Sequence, residues 1–366
     1  VPGAYACFLG GGSYRHYIPS VVRSIVSRGE FMTSYTAYQP EVSQGTLQAA
    51  YEFQSLICQL TGMEIANAGM YDGASSLAEA ALMACRLTGR SRVAVRGTLS
   101  PTFRAVLGTY LSAQGIEISM EPDGETACLI LQQPNFFGFW EEVDGLAEEV
   151  HDLGALLVVA ADPISLGLFK PPGAYGADIA VAEGQSLGVP PSFGGPGLGL
   201  LVCRRDYVRQ LPGRIAGRTL DSQGREAFVL TLQTREQHIR RERATSNICT
   251  NETLAAIAAA VYLAALGKEG LRQVALLAYH KAHYTAARIA DHQGYSLPLE
   301  GVFFNEFVVQ CPLPPTHIND GLLARGILGG LDVSSQVPNG LLLCVTELTT
   351  REQIEALVAA LGEMSG

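Results

Sequence analysis

Lysine is nearly missing. Only Lys170, Lys268 and Lys281 occur among 366 residues, within a total of 25 Lys plus Arg. Any chemistry that depends on a lysine amine is confined to those three positions. Positive charge is scarce overall: 35 Asp plus Glu give a formal charge of −10. That balance argues against nucleic-acid binding and against anchoring to anionic lipid, because no basic patch offsets phosphate repulsion. The arginines are dispersed, apart from one cluster at Arg240, Arg241 and Arg243. No cysteine pair has C-x-x-C spacing, and most of the eight cysteines sit inside apolar runs, as small core residues do. A disulfide framework or zinc site is therefore not expected, and a reducing, cytoplasmic location fits. His280-x-x-His283 has ligand spacing but no third ligand nearby, so it reads as structural, with no metal. No apolar run reaches the roughly 18 residues needed to span a bilayer. There is no signal peptide and no initiator Met at Val1, so a preceding N-terminal segment is expected to be missing.

Hydrophobic residues make up 48% and charged residues 16%, the balance of a well-buried α/β protein long enough for two domains. Apolar periodicity predicts a helix from Glu41 to Gly62 and a second, apolar almost all round, from Asp72 to Leu87. Strands at Val93–Arg96, Ile116–Met120, Leu129–Gln132, Leu156–Ala160, Ile179–Ala182 and Leu198–Cys203 alternate with helices at Pro101–Ala113 and Glu141–Leu153. This is the pattern of a mostly parallel sheet with helices on both faces. Two long helices (Glu252–Leu266 and Glu269–His292) precede a strand, helix, strand, helix series ending at Leu361. The reading divides the chain into an irregular segment 1–40, a large domain 41–284 and a small α/β domain 285–366.

Several loops could face a ligand. Gly10-Gly11-Gly12 could cradle a phosphate, but without strand–turn–helix context it reads as a flexible opening loop; His16 within it reads as structural. Tyr35, Thr36, Tyr38, Gln39 and Glu41 crowd a helix start, where they either bind a polar ligand or simply pack. Asp72-Gly73-Ala74-Ser75-Ser76 opens the buried helix with free N–H groups that suit a phosphate, or are capped by Ser and Asp. Asn135 in Pro134-Asn-Phe-Phe-Gly138 and Asp162 follow apolar strands, at the ligand edge of such a sheet. Ala177–Gly199 is a strand leading into a Gly- and Pro-rich loop with no Lys, His or Cys.

This order of features resembles the large domain of fold-type I pyridoxal-phosphate (PLP) enzymes, aspartate-aminotransferase-like, with a three-layer large domain and a small C-terminal domain. The resemblance would put Ser75 and Ser76 near the phosphate, Asn135 near the ring hydroxyl and Asp162 at the pyridine nitrogen. A Schiff-base lysine would follow the strand at Ala182. The sequence there reads Glu183-Gly184-Gln185-Ser186. A lysine amine is what holds this cofactor covalently and exchanges it with a substrate amine, and neither Gln185 nor Ser186 can replace it.

Four longer stretches carry a closer resemblance: Tyr35–Gly45, Asn67–Ala74, Gly184–Gly197 and Ala244–Asn251. They resemble the glycine decarboxylase P-protein family, in its two-subunit form, on the side of subunit 1. The resemblance covers nearly the full length, although the family carries a further helical segment before Leu9. It implies a division of labour. A paralogous subunit 2 holds PLP covalently, and this chain completes the active site at the interface. Glycine is decarboxylated and its aminomethyl group passes to the lipoyl arm of the H-protein, in an α2β2 assembly. On that reading Tyr35, Thr36, Tyr38, Gln39, Glu41 and, more weakly, Asn247 and Cys249 face the shared site. Ser75, Ser76, Asn135, Asp162, Gln185 and Ser186 are the shell of a vacated pocket. The competing readings are a docking partner that contributes no active-site group and an enzyme that binds PLP without a lysine.

Overall fold

The computed structural model describes residues 5–364, which form two compact units. The larger comprises Ile18–Gln133 and Glu142–Leu271; the smaller joins the described residues up to Tyr17, Pro134–Glu141 and the described residues from Arg272 onward. The segment 1–40 is thus shared between the two units, and the smaller unit draws on three stretches of chain rather than on residues 285–366 alone.

The larger unit is built on a seven-stranded sheet in the order Ile65–Ala66, Gly199–Cys203, Ile179–Glu183, Leu156–Ala161, Thr126–Gln133, Arg92–Arg96, Glu117–Ser119. The five strands from Ile179–Glu183 outward run parallel, and the other two join antiparallel. Leu156–Ala161 and Gly199–Cys203 are buried at every position, which is why they read as continuous apolar runs instead of alternating ones. Against them lies the helix Gly73–Thr88, buried without a break from Gly73 to Ala84. Small residues on all its faces let it pack this closely.

Some elements depart from expectation. The first long helix is Gln44–Thr61, since Ser43 (φ −116°, ψ 23°) separates it from a 3₁₀ turn at Pro40–Val42. The helix read as Glu141–Leu153 is only Leu146–Asp152, because Gly145 precedes it in the left-handed region at φ 76°. Short helices at Ser20–Val26 and Gly29–Met32 replace the irregular opening. The stretch after Arg204 contains an antiparallel hairpin, Ile215–Leu220 with Glu226–Thr231. Its turn is organised by Asp221, whose Oδ1 accepts from the Gln223 and Arg225 amides at 2.8 and 2.9 Å.

The helix Thr253–Ala290 is broken at Gly267 (φ 61°, ψ −175°), so it comprises the two expected helices. By length and composition it is apolar enough to cross a bilayer, contrary to the expectation that no segment qualifies. Half of the apolar window is buried in the protein, however, as in an ordinary core helix.

The smaller unit has an antiparallel sheet in the order Glu306–Gln310, Gly340–Cys344, Leu331–Asp332, and a parallel pair of Ala6–Cys7 with Ile327–Leu328. Helices Pro315–Leu323 and Arg351–Glu363 complete it, the second opened by a Thr350–Gln353 capping box. Phe136, Phe137 and Phe139 join Phe303 and Phe307 in its core. The Pro-Asn-Phe-Phe-Gly-Phe loop is therefore a packing element of this unit. His283 stacks on Phe303 (centroids 3.8 Å apart, 2° between planes), and its Nε2 lies 2.9 Å from the Phe303 carbonyl.

Candidate functional site

In the larger unit, the strand Ile179–Glu183 ends beside the first turn of the helix Gly73–Thr88. A helix start leaves four N–H groups without partners and carries partial positive charge, the usual setting for an anion. Here the chain supplies the anions itself. Asp72 caps the helix, its Oδ1 accepting from the Ser75 amide at 2.7 Å, while Ser75 Oγ accepts from the Asp72 amide at 3.3 Å. Ser76 Oγ donates to the Asp72 carbonyl at 2.7 Å. The carboxylate of Glu183 then accepts from three backbone amides, Gly73, Gln185 and Leu198, each at 2.9 Å. Burial nevertheless pushes the Glu183 carboxyl above its ordinary range, against the pull of those three donors. Gly73 packs so closely that a Cβ there would lie 2.8 Å from the Glu183 nitrogen, leaving no room between helix and strand end.

The neighbouring candidates are also engaged in holding backbone. Asp162 Oδ1 accepts from the Ile164 and Ser165 amides at 2.8 and 2.9 Å. Gln185 is buried and donates from Nε2 to the Val189 carbonyl. Ser186 is buried with no hydrogen-bond partner for Oγ among the described residues. In the smaller unit, Asn135 Oδ1 accepts from the Phe137 and Phe139 amides at 2.9 and 3.1 Å, and its Nδ2 donates to Glu141 at 2.7 Å. The glycine loop of that unit is treated alike: the Gly11 amide donates to Glu306 Oε1 at 2.6 Å, and His16 Nδ1 lies 2.8 Å from Glu347.

The tyrosine-rich stretch is different. Tyr35 and Tyr38 are 66% and 74% exposed, with ring centroids 6.4 Å apart, and Gln39 and Glu41 are exposed beside them. Thr36 is buried and accepts from Arg214, which also lies 3.7 Å from the buried Glu236. Arg214 and Glu236 were not apparent as partners from the sequence, being 22 residues apart. In the Ala244–Asn251 stretch, Asn247 and Cys249 are exposed, while the Cys249 amide donates to Tyr71 Oη at 3.0 Å. Glu79, buried on the helix Gly73–Thr88, has its carboxyl raised by burial, with Ser246 acting in the opposite direction. Neither Glu79 nor Glu183 stood out in the sequence; the one available signal was a carboxylate placed immediately after an apolar strand.

The architecture is that of the PLP-dependent fold-type I enzymes. It is similar to an alanine–glyoxylate aminotransferase from Nostoc sp. (18% identity, TM-score 0.65, covering 98% of this chain and 94% of that one), a likeness of fold alone. A much nearer likeness is to the crystal structure of a glycine decarboxylase (P-protein) of the glycine cleavage system in inhibitor-bound form. The identity there is 48% and the TM-score 0.95, over 98% of this chain and 85% of that one. The family model described as glycine cleavage system P-protein matches residues 3–361. The probable glycine dehydrogenase (decarboxylating) subunit 1 of Thermomicrobium roseum is 56% identical, covering 98% of this chain and 84% of that protein. That of Desulforamulus reducens is 52% identical with the same coverage. The chain belongs to the glycine cleavage system P-protein family, an enzyme family of glycine decarboxylation, and its similarity lies with the subunit 1 members.

Proposed function

We propose that this chain is the subunit of a heteromeric glycine decarboxylase that carries no covalent cofactor. It completes, through its exposed surface, an active site whose PLP is held by a lysine-bearing subunit 2. The observation that carries this reading is the end of the strand Ile179–Glu183. No lysine follows it, and the helix start where a cofactor phosphate would sit already holds the carboxylates of Asp72 and Glu183. Asp162 Oδ1 and Asn135 Oδ1 likewise accept from backbone amides. These residues do not fit PLP on this chain, so no step is assigned to them.

Held by subunit 2, PLP would supply an electron sink for the decarboxylation of glycine, and the lipoyl arm of the H-protein would take the aminomethyl group. The contribution of this chain is the Tyr35–Glu41 stretch. Phenolic hydroxyls and a carboxylate exposed together can orient a zwitterionic substrate or relay a proton across an interface. The buried Thr36–Arg214–Glu236 contacts support that stretch from below.

Changing Tyr38→Phe and Glu41→Gln together is expected to lower glycine–bicarbonate exchange by roughly tenfold or more in the presence of subunit 2. Size-exclusion chromatography should show the assembly intact. Full exchange in an intact assembly would reduce this chain to a docking partner. The isolated chain mixed with PLP should give no stoichiometric borohydride-trapped adduct; a stable one would overturn the assignment of the cofactor to subunit 2.

A further inference from the structure

The arginine cluster marked in the sequence is not absorbed by the reading above. In the larger unit, Arg209, Arg235, Arg240 and Arg243 line a cleft of about 200 Å³ together with Leu232, Thr234 and Thr245. No carboxylate lines it. Arg235 is buried; its Nε donates to the Leu232 carbonyl and its Nη2 to the Gly213 carbonyl, both at 3.0 Å. Arg240 donates only to a carbonyl, that of Thr234, at 3.1 Å. Arg209 makes no hydrogen bond or ion pair with the described residues. Arg243 has only the exposed Glu242, at 3.9 Å. The buried carboxylate of Glu236 lies 3.7 Å from Arg214 and 3.6 Å from His238 and also acts on the charge of Arg235.

In a chain of formal charge −10, four guanidinium groups line one small cleft, and the carboxylates near them are Glu236, which acts on Arg235, and the exposed Glu242 beside Arg243. Such groups repel one another, and the repulsion grows where one of them is withdrawn from water. Burial indeed lowers the Arg235 guanidinium from its ordinary value. We propose that this cleft is a binding site for a phosphate dianion, free or carried as a monoester on a small molecule. Planar N–H forks match phosphate oxygens in pairs, and the hydroxyls of Thr234 and Thr245 add donors at the same cleft. A dianion balances this much positive charge better than a single carboxylate does. None of its residues belongs to the strand end or to the Tyr35–Glu41 stretch, and Thr245 alone lies in the Ala244–Asn251 stretch.

The test is isothermal titration of the full chain with inorganic phosphate and, separately, with glycerol 2-phosphate, at fixed ionic strength in chloride. One saturable site per chain is expected, weakened by about tenfold or more in Arg240→Gln/Arg243→Gln, with an unchanged thermal melt. Arg209→Gln, on a different loop, provides a second variant that should weaken binding independently. Equal affinity for the two ligands would identify the free anion, and tighter binding of the ester would identify a carried phosphate. Absence of saturable binding, or equal affinity in all variants, would overturn the proposal. Binding of polyglutamate that phosphate does not displace would also overturn it, in favour of a surface for an acidic protein.

Discussion

Glu183 shows how a single side chain can close a site that its fold offers. Three backbone amides converge on its carboxylate at the turn between the strand and the Gly-rich loop. Truncation by Glu183→Ala leaves buried donors without partners, so a loss of about 3 kcal/mol is expected from the urea midpoint at constant slope. An unchanged midpoint would show that water replaces the carboxylate at no cost. Glu79 makes the complementary case. Its carboxyl is raised by burial, so the folded state holds its proton more tightly than the unfolded chain does. The stability this gives is fully present below the unfolded value near 4.5 and is lost as pH rises through the raised folded value. The melting temperature of Glu79→Gln relative to the parent should therefore rise from pH 5 to pH 8. A constant difference would contradict the assigned cause. Asn135 and Asp162 explain why such sites resist reading from sequence. Amide and carboxylate side chains that receive a ligand are the same types that cap turns, and here both cap turns. Which backbone amides they meet depends on tertiary contacts that spacing alone does not encode.

Elements were legible where one physical signal dominated. All but the shortest strand of the seven-stranded sheet were visible, most of them because a strand buried on both faces is continuously apolar, and the helix Gly73–Thr88 because its apolar residues surround it. The hairpin Ile215–Thr231 was missed, since its strands carry Arg218, Glu226 and other polar residues among the apolar ones and are only partly buried. The Asp221–Gly224 turn was the usable signal. A close fit between elements lies where Gly199 opens its strand against the helix. A Cβ at that position would collide with the Asp72 carbonyl and Ser76 Oγ, and would lie 2.5 Å from the Met70 Cβ. Backbone cannot yield as a flexible side chain does, so Gly199→Ala is expected to destabilise the larger unit by about 3 kcal/mol. Chemical denaturation measures this directly. A stability within error of the parent would mean that the helix start can move, and with it the anion-filled cradle.

At the scale of the whole molecule, the exposed apolar side chains bear most directly on assembly. Val42 is 80% exposed and Phe193 fully so, alongside Tyr35 and Tyr38. Scattered apolar residues are normal on a surface, but Ser192 and Phe193 also adopt positive φ (43° and 60°), a conformation that non-glycine residues avoid unless something repays it. Burial of Phe193 against a second subunit would repay it. Neither residue is needed to hold this chain together, since an exposed side chain loses little on truncation. Val42→Asp and Phe193→Asp are therefore expected to leave the melt of the isolated chain unchanged. The same variants should weaken association with the proposed lysine-bearing subunit by about tenfold or more, because a charge would be buried without a partner. Light scattering on the co-expressed pair, read against the mass of an α2β2 assembly, measures both the stoichiometry and the loss. Undiminished association of both variants would move the interface away from these loops and with it the role given to Tyr38 and Glu41.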